Sequence, residues 1–366
     1  MSQAPLAFVY DVLPSRVVFG IGSLDKLTEE IDRLGAHRAL VLSTPEQRNQ
    51  GRQIADRLGS RAVGLFDKAV MHVPIEIAEQ AREQAKALGA DCCVAVGGGS
   101  TTGLAKAIAL VSTLPILAIP TTYAGSEMTP IWGLTEGGVK KTGRDPRVLP
   151  KTVLYDPTLT VSMPAMLSAT SGMNSIAHCV EALYSKDANP VISMMAEEGI
   201  RALAQGLPVV VAEPANLEAR SNALYGAWLA GMSLGAVGMA LHHKLCHTLG
   251  GTFNLPHAET HTVVLPHATA YTAPAAQEAM SCIARALGAR SPDRTLPAPE
   301  LAAPALYDLA VSLGAPTSLA ALGLKPADLD KAADIAVQNP YYNPRPITRE
   351  GIRALLQDAF EGRRPL

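Results

Sequence analysis

Five side chains in the second half of the sequence carry spacings that could do chemistry. Asn174 and His178 stand four residues apart, His243 and His247 repeat that interval, and His257 follows. On a helix, residues i and i+4 share a face, so each pair aims two side chains into one space. Three histidines suit zinc or iron, but the neutral amide of Asn174 stands where an anionic fourth ligand would be expected, and it is a weak donor to a divalent transition metal. The other chemistry open to such a set is hydrogen bonding: imidazoles and an amide that polarise a substrate and pass protons.

A second group of residues reads as a phosphate cradle. Val94-Ala95-Val96 runs into Gly97, Gly98, Gly99 and Ser100, followed by a helical pattern from Leu104 to Val111. Glycines let the backbone approach a pyrophosphate closely, and the N–H groups at a following helix N-terminus attract its charge. Ile119-Pro120-Thr121-Thr122-Tyr123-Ala124-Gly125-Ser126-Glu127 is a further strand end rich in hydroxyls. Two such loops at successive strand ends converge on one dinucleotide, with Thr121, Thr122 and Ser126 as contacts. The strand Ala39 to Ser43 ends at Thr44-Pro45 with no acid to pair with ribose hydroxyls or to repel a 2′-phosphate. Both NADH and NADPH are therefore expected to bind at Thr44.

These residues need two kinds of scaffold. Short β-rich runs at Arg16–Phe19, Ala39–Ser43, Ala62–Phe66, Cys92–Val96, Ile116–Ile119 and Val153–Tyr155 alternate with helical patterns at Leu24–Leu34, Gln47–Leu58, Ile75–Leu88 and Leu104–Val111. That alternation predicts βαβ units in a largely parallel sheet, an α/β dinucleotide-binding domain over residues 1–160. Residues 161–366 are rich in Ala, Leu, Met and Glu at helical spacing, punctuated by Pro190, Pro208, Pro214, Pro256, Pro266, Pro297 and Pro299. They predict an all-helical catalytic domain, with the active site in the cleft between the two. Ala286–Pro304 reads as a surface connection between helices, and Val139–Arg144 as a Gly-containing loop.

Composition narrows the classes. With 366 residues and 48% hydrophobic content the chain can bury two cores, and a net charge of −2 without a basic stripe excludes nucleic acid as a partner. No window holds 18 uninterrupted apolar residues and the N-terminus lacks a signal-peptide pattern, so neither a membrane nor export is expected. Five cysteines without a CxxC pair, four of them in apolar or helical patterns, fit reduced, buried thiols in a cytoplasmic protein.

Gly97–Ser100, Pro120–Thr122 with Gly125–Glu127, the Asn174-to-His178 helix and HHKLCHTLGGTFNLPH from His242 to His257 together resemble the iron-containing alcohol dehydrogenase family. The resemblance covers nearly the whole chain. It implies an N-terminal NAD(P)-binding domain and a metal set that falls here on Asn174, His178, His243 and His257, with His247 beside it. It also implies a homodimer, for which the Phe8–Phe19 region is the candidate interface. Two of the family's carboxylates are replaced, one by Asn174 and one by Gly103.

At these departures, GGGSTTGLAKA, PTTYAGSEMTPIWG, SGMNSIAHCVEALY, HHKLCHTLGG and NPYYNPRP resemble the branch of the family that reduces maleylacetate. That likeness implies NAD(P)H-dependent reduction of the carbon-carbon double bond of maleylacetate, and of chloromaleylacetate, to 3-oxoadipates in bacterial aromatic degradation, with no metal. The substrate would be a small dicarboxylate.

His243 is then expected to polarise the ketone and His247 or His257 to supply a proton. Tyr123 and Lys244 are expected to bind carboxylate, with Lys140, Lys141, Arg144 and Arg345 as lesser candidates. His242 is taken as structural. The rival readings are a metal-dependent alcohol dehydrogenase or aldehyde reductase, a zinc lyase resembling 3-dehydroquinate synthase, and a non-catalytic NAD-binding protein.

Overall fold

Runs of apolar residues too short for helices pair into one sheet. A computed structural model describes residues 8, 10, 12, 13, 15–290, 298–338 and 340–366. The strands are β1 (Arg16–Phe19), β2 (Ala39–Leu42), β3 (Ala62–Phe66), β4 (Cys92–Gly97), β5 (Ile116–Pro120) and β8 (Thr152–Tyr155), between which β6 (Ile131–Glu136) and β7 (Val139–Arg144) form a separate pair. The six pair in parallel in the order β1-β8-β5-β4-β2-β3. Strands β2, β4, β5 and β8 are buried at every residue, as a parallel sheet covered on both faces requires. One face packs against α3 (Ile75–Ala87) and α4 (Gly99–Ser112), the other against α1 (Leu27–Arg33) and α2 (Arg48–Leu58).

The sequence places these elements to within a few residues, with three differences. The pattern from Leu24 to Leu34 divides into a 3-10 turn at Ser23–Lys26 and α1 proper. Helix α4 begins at Gly99 rather than Leu104, because low-propensity Gly and Thr open its first turn where backbone approach matters more than propensity. Val139–Arg144 is a strand, not a loop: it pairs antiparallel with β6 through Gly137 (φ 57°) and Gly138 (φ 77°). Two successive residues at positive φ make the tight turn that suits a hairpin's twist, for which Gly-Gly was the available signal.

The rest is helical: α5 (Ala165–Tyr184), α6 (Pro190–Ala212), α7 (Leu217–Ala236), α8 (Leu241–Phe253), α9 (His257–Thr272), α10 (Gln277–Ala286), α11 (Ala302–Ser312), α12 (Asp328–Ala336) and α13 (Arg349–Glu361). Helix α5 runs through the middle, packed by α6, α7 and α9. A second core joins α8 and α9 to α12 and α13. Pro190 opens α6 and Pro256 caps α9, but Pro208 and Pro266 lie inside helices and do not end them as the punctuation reading expected. Packing on both sides outweighs the hydrogen bond each proline removes. Of the expected connection Ala286–Pro304, residues 291–297 lie outside the described set, as do residues 9, 11 and 14 of the expected dimer region.

Cys92, Cys93, Cys179 and Cys246 are buried free thiols. Among the described residues no single helix is long and apolar enough to cross a membrane.

Candidate active site

Strands β2, β4 and β5 are neighbours, so the loops leaving their carboxyl ends meet. Gln47, after β2, donates from Nε2 to Thr121 Oγ1, after β5, at 2.6 Å. Between them lies the glycine turn. Gly97 has φ 145°, and a Cβ there would sit 2.2 Å from Thr101 Oγ1; one on Gly98 would sit 2.7 Å from Thr122 Oγ1. At Gly99 nothing lies within 4 Å of a built Cβ. Helix α4 has no side-chain cap on its first turn, so its N–H groups are open to an anion. The cradle a side chain would fill, beside an uncapped helix start, fits a dinucleotide pyrophosphate.

Thr44 accepts from Gln47 N at 3.3 Å, and the next acid, Glu46, is exposed. Ser126 is less available than the sequence reading expected. Its hydroxyl and carbonyl accept from buried Lys106 Nζ at 3.2 and 2.7 Å, and the same ammonium donates to Thr129 Oγ1 and Ile131 O. Burial pulls Lys106 down to about 7, with Glu127 opposing. Its four acceptors pin the Ser126 loop and the start of the hairpin to α4. At Gly103, in α4, a Cβ would meet Val73 Cγ2 at 2.9 Å, so Val73 occupies the space an acid would take.

The same loop reaches the helical half. Gly125, at φ 81°, lies against Gly231 of α7, where a Cβ on either glycine would meet the other's backbone within 3.0 Å. A Cβ on Gly125 would also lie 3.4 Å from His178 Nδ1, so the loop after β5 abuts the histidine cluster.

Helices α5 and α8 bring the expected residues together. The rings of His178 and His243 stack with centroids 5.1 Å apart, and His243 and His247 lie edge to face at 6.1 Å. Asn174 Oδ1, His178 Nδ1 and His243 Nε2 are buried and have no hydrogen-bond partner among the described residues. Burial holds His178 well below the usual imidazole range, followed in effect by His243 and His257. His247 and His257 face the open cleft, yet the protein around them, with Lys140 and His243 near both, also lowers their pKa values. Lys140, which the sequence reading ranked low as a loop residue, acts on both imidazoles from the β6–β7 hairpin.

Glu181, which the sequence reading missed, orders the cluster. Fully buried on α5, its Oε2 lies 2.6 Å from His243 Nδ1 and accepts from Ala240 N at 2.8 Å, while Oε1 accepts from His242 N at 2.6 Å. Its signal was present, because positions 174, 178 and 181 follow i, i+4, i+7 on one helical face. Behind them, His242 Nε2 and His261 Nδ1 share a hydrogen bond of 2.9 Å, with Cys246 Sγ 3.7 Å from His242 Nε2. His242 is fully buried, and its partner His261 sits four residues after His257.

Four of the six candidate carboxylate contacts are engaged elsewhere. Tyr123 is fully buried, with its hydroxyl 3.3 Å from Arg220 Nη1 and its backbone N–H and carbonyl bonded to Ser171 and Ser175 of α5, so the loop turns it into the core. Arg345 donates to Tyr271 O at 2.9 Å and lies over the Tyr271 ring, a structural task. Arg144 donates to Gly235 O, and Lys141 pairs with Glu136. Lys244 stays half-buried at the cleft mouth, its Nζ 5.9 Å from the Tyr341 ring. Tyr341 Oη lies 3.2 Å from His247 Nδ1, a contact the sequence carried only as part of NPYYNPRP.

Comparison with known proteins follows the same division. Residues 14–157 match the model described as iron-containing alcohol dehydrogenase, and residues 168–360 the C-terminal model of the Fe-containing alcohol dehydrogenase family. The chain is 60% identical over 359 residues to a maleylacetate reductase of Burkholderia cepacia, covering 98% of this chain and 99% of that one. It is 58% identical to one of Sphingobium indicum, covering 99% of each. The crystal structure of maleylacetate reductase from Agrobacterium tumefaciens superposes with a TM-score of 0.93 at 54% identity, covering 98% of this chain and 100% of that one.

Proposed function

The chain belongs to the iron-containing alcohol dehydrogenase family, and on that premise we propose that it reduces the double bond of maleylacetate to give 3-oxoadipate by hydrogen-bond and proton catalysis, without a resident metal. The observation that carries the mechanism is the pair of buried, unpartnered atoms Asn174 Oδ1 and His243 Nε2 beside the fully committed Glu181.

The donor set does not fit a divalent ion. Asn174 supplies no charge, and the carboxylate of Glu181 is spent on His243 Nδ1 and on backbone N–H groups. Among the described residues, the three His, Cys or acidic side chains whose ligand atoms lie within 4.8 Å of one another are His242, Cys246 and His261, not His178, His243 and His257.

The cradle at Gly97, Gly98, Gly99 and Ser100, with Thr121, Thr122 and Thr44, would hold NAD(P)H, which when bound supplies a hydride. Lacking an acid at Thr44, the site accepts either cofactor; a hundredfold preference for one would contradict this. In maleylacetate the ketone is conjugated to the alkene, so hydride arriving at the alkene carbon β to the ketone leaves an enolate. That enolate is then protonated on the carbon next to the ketone.

Glu181 accepts from His243 Nδ1, which leaves Nε2 facing the cleft. With a second proton the ring forms a buried ion pair with Glu181, and Nε2–H donates to the ketone oxygen as charge develops there. Asn174 can turn its amide to donate to the same oxygen. His247 and His257 are held neutral and pass a proton from solvent to carbon. Lys244 offers a cation to a carboxylate. We further infer a cytoplasmic homodimer and a division between domains at residues 160 and 161.

The test is consumption of NADH with maleylacetate, with 3-oxoadipate identified as product. Turnover of simple alcohols or aldehydes without turnover of maleylacetate would contradict the reading.

A further inference from the structure

The segment from Pro340 to Pro346 is tied down before it reaches the cleft. Arg345 Nη1 donates to Tyr271 O at 2.9 Å, and its guanidinium stands 4.3 Å above the Tyr271 ring. Tyr271 Oη donates to Pro346 O at 2.6 Å, Asn343 Nδ2 to Arg345 O at 2.9 Å, and Thr272 Oγ1 to Asn343 Oδ1 at 3.3 Å. Anchored to the end of α9, the segment presents Tyr341 to α8 at a defined place. There the phenol meets His247 Nδ1 at 3.2 Å with the rings nearly perpendicular, and Lys244 Nζ lies 5.9 Å from the phenol ring.

Charges of both signs act near this phenol: the buried Glu181 carboxylate raises its pKa after burial does, and the Lys244 ammonium stands 5.9 Å from its ring. Lys244 comes from α8, and Lys140 comes from the hairpin of the other half. The stem of Lys140 runs back along the hairpin, its Cε 3.3 Å from where a Cβ on Gly133 would stand. Among the described residues neither lysine has a carboxylate within 4.0 Å, although sixteen Lys or Arg ion pairs form elsewhere. Both cations act on His247. Glu181 is spent behind His243, so the two lysines without a carboxylate partner are the charges left to attract an anion at the cleft mouth. A phenol can accept from His247 Nδ1–H while donating its own proton to that anion.

We propose that Tyr341 is a specificity-determining residue, its Oη and Lys244 Nζ together holding one of the two carboxylates of the substrate at the cleft mouth, with Lys140 opposite. The assignment rests on the reading of the substrate as a dianionic enone, and it adds a contact that separates dianions from monoanions. The ring is 38% exposed, so the hydroxyl can be removed without opening a core.

The experiment is steady-state kinetics of Tyr341→Phe with maleylacetate and with two monoanionic analogues, each carrying methyl in place of one carboxylate. Tyr342→Phe, whose ring is 46% exposed, serves as the control. For maleylacetate, KM should rise about tenfold, as expected for one hydrogen bond to a charged group, with kcat within about twofold and KM for NADH unmoved. One analogue should keep that sensitivity and the other lose it. A fall in kcat at constant KM, an equal penalty on all three substrates, or no change would overturn the proposal. An active wild-type enzyme with an unaffected Tyr341→Phe variant would overturn this assignment alone. A wild-type enzyme inert toward maleylacetate would overturn it together with the function it rests on.

Discussion

Glu181 Oε2 lies 2.6 Å from His243 Nδ1 where the carboxylate meets no solvent and the imidazole almost none. The contact fixes which ring nitrogen of His243 faces the cleft. It also places the buried Glu181 carboxylate behind a histidine of the cluster, where it holds the ring in position. The carboxylate missing at Asn174 is thus supplied one step back, as a support for proton chemistry.

Removing that support should show in kcat. Glu181→Gln leaves one acceptor oxygen for three backbone N–H groups and the His243 ring, and it removes the charge. We expect kcat to fall about 10²-fold with KM for NAD(P)H within a few fold, and His243→Ala to fall at least as far. Kinetics beside circular dichroism would check it; a folded Glu181→Gln enzyme with wild-type kcat would remove the carboxylate from the mechanism.

Stability should decline on acidification through the histidine range. His178, His242 and His261 are held by burial well below their ordinary 6.5. The unfolded chain therefore binds protons that the folded chain refuses, so stability rises with pH below 6.5 and that contribution levels off above it. Calorimetry from pH 7.5 to 5 should show a falling Tm, with a shallower fall in a His242→Asn, His261→Asn double variant. A Tm independent of pH over that interval would contradict the buried neutral cluster.

The cofactor cradle can be probed where it is empty of protein. A methyl at Gly99 meets nothing within 4 Å, so Gly99→Ala should leave Tm within a degree or two. The same methyl stands where a phosphate would approach, so KM for NAD(P)H should rise about tenfold or more. Unaltered cofactor kinetics would place the pyrophosphate elsewhere.

Tyr123→Phe separates the structure from the expectation drawn from its loop. Since the hydroxyl meets Arg220 inside the core, its loss should cost about 1 kcal/mol of stability and leave KM for substrate unchanged. A raised KM at full stability would return Tyr123 to the substrate site.

Much of this was legible in the residues, and the exceptions have physical causes. Parallel strands announce themselves because each is a short apolar run ahead of a helix, and β2, β4 and β5 lie where Leu40, Val94 and Leu117 predict. The i, i+4 pairs named Asn174, His178, His243 and His247 because helical spacing is geometry. Glu181 was passed over since a lone acid in an apolar helix looks like surface until its partners are known. Tyr123 misled because a loop's position says nothing about which way one side chain turns. Lys140 and Tyr341 enter the site through a hairpin and an anchored segment from distant stretches of chain, and only tertiary structure joins them to His247.

The central claim is that a neutral amide and three imidazoles, ordered by Glu181, polarise and protonate the substrate without a divalent ion. The most direct measurement is elemental analysis of the purified enzyme joined to maleylacetate reduction before and after exhaustive chelation. We predict less than stoichiometric iron or zinc and an unchanged kcat. One tightly bound ion per chain, with activity lost on its removal and restored on its return, would contradict the account.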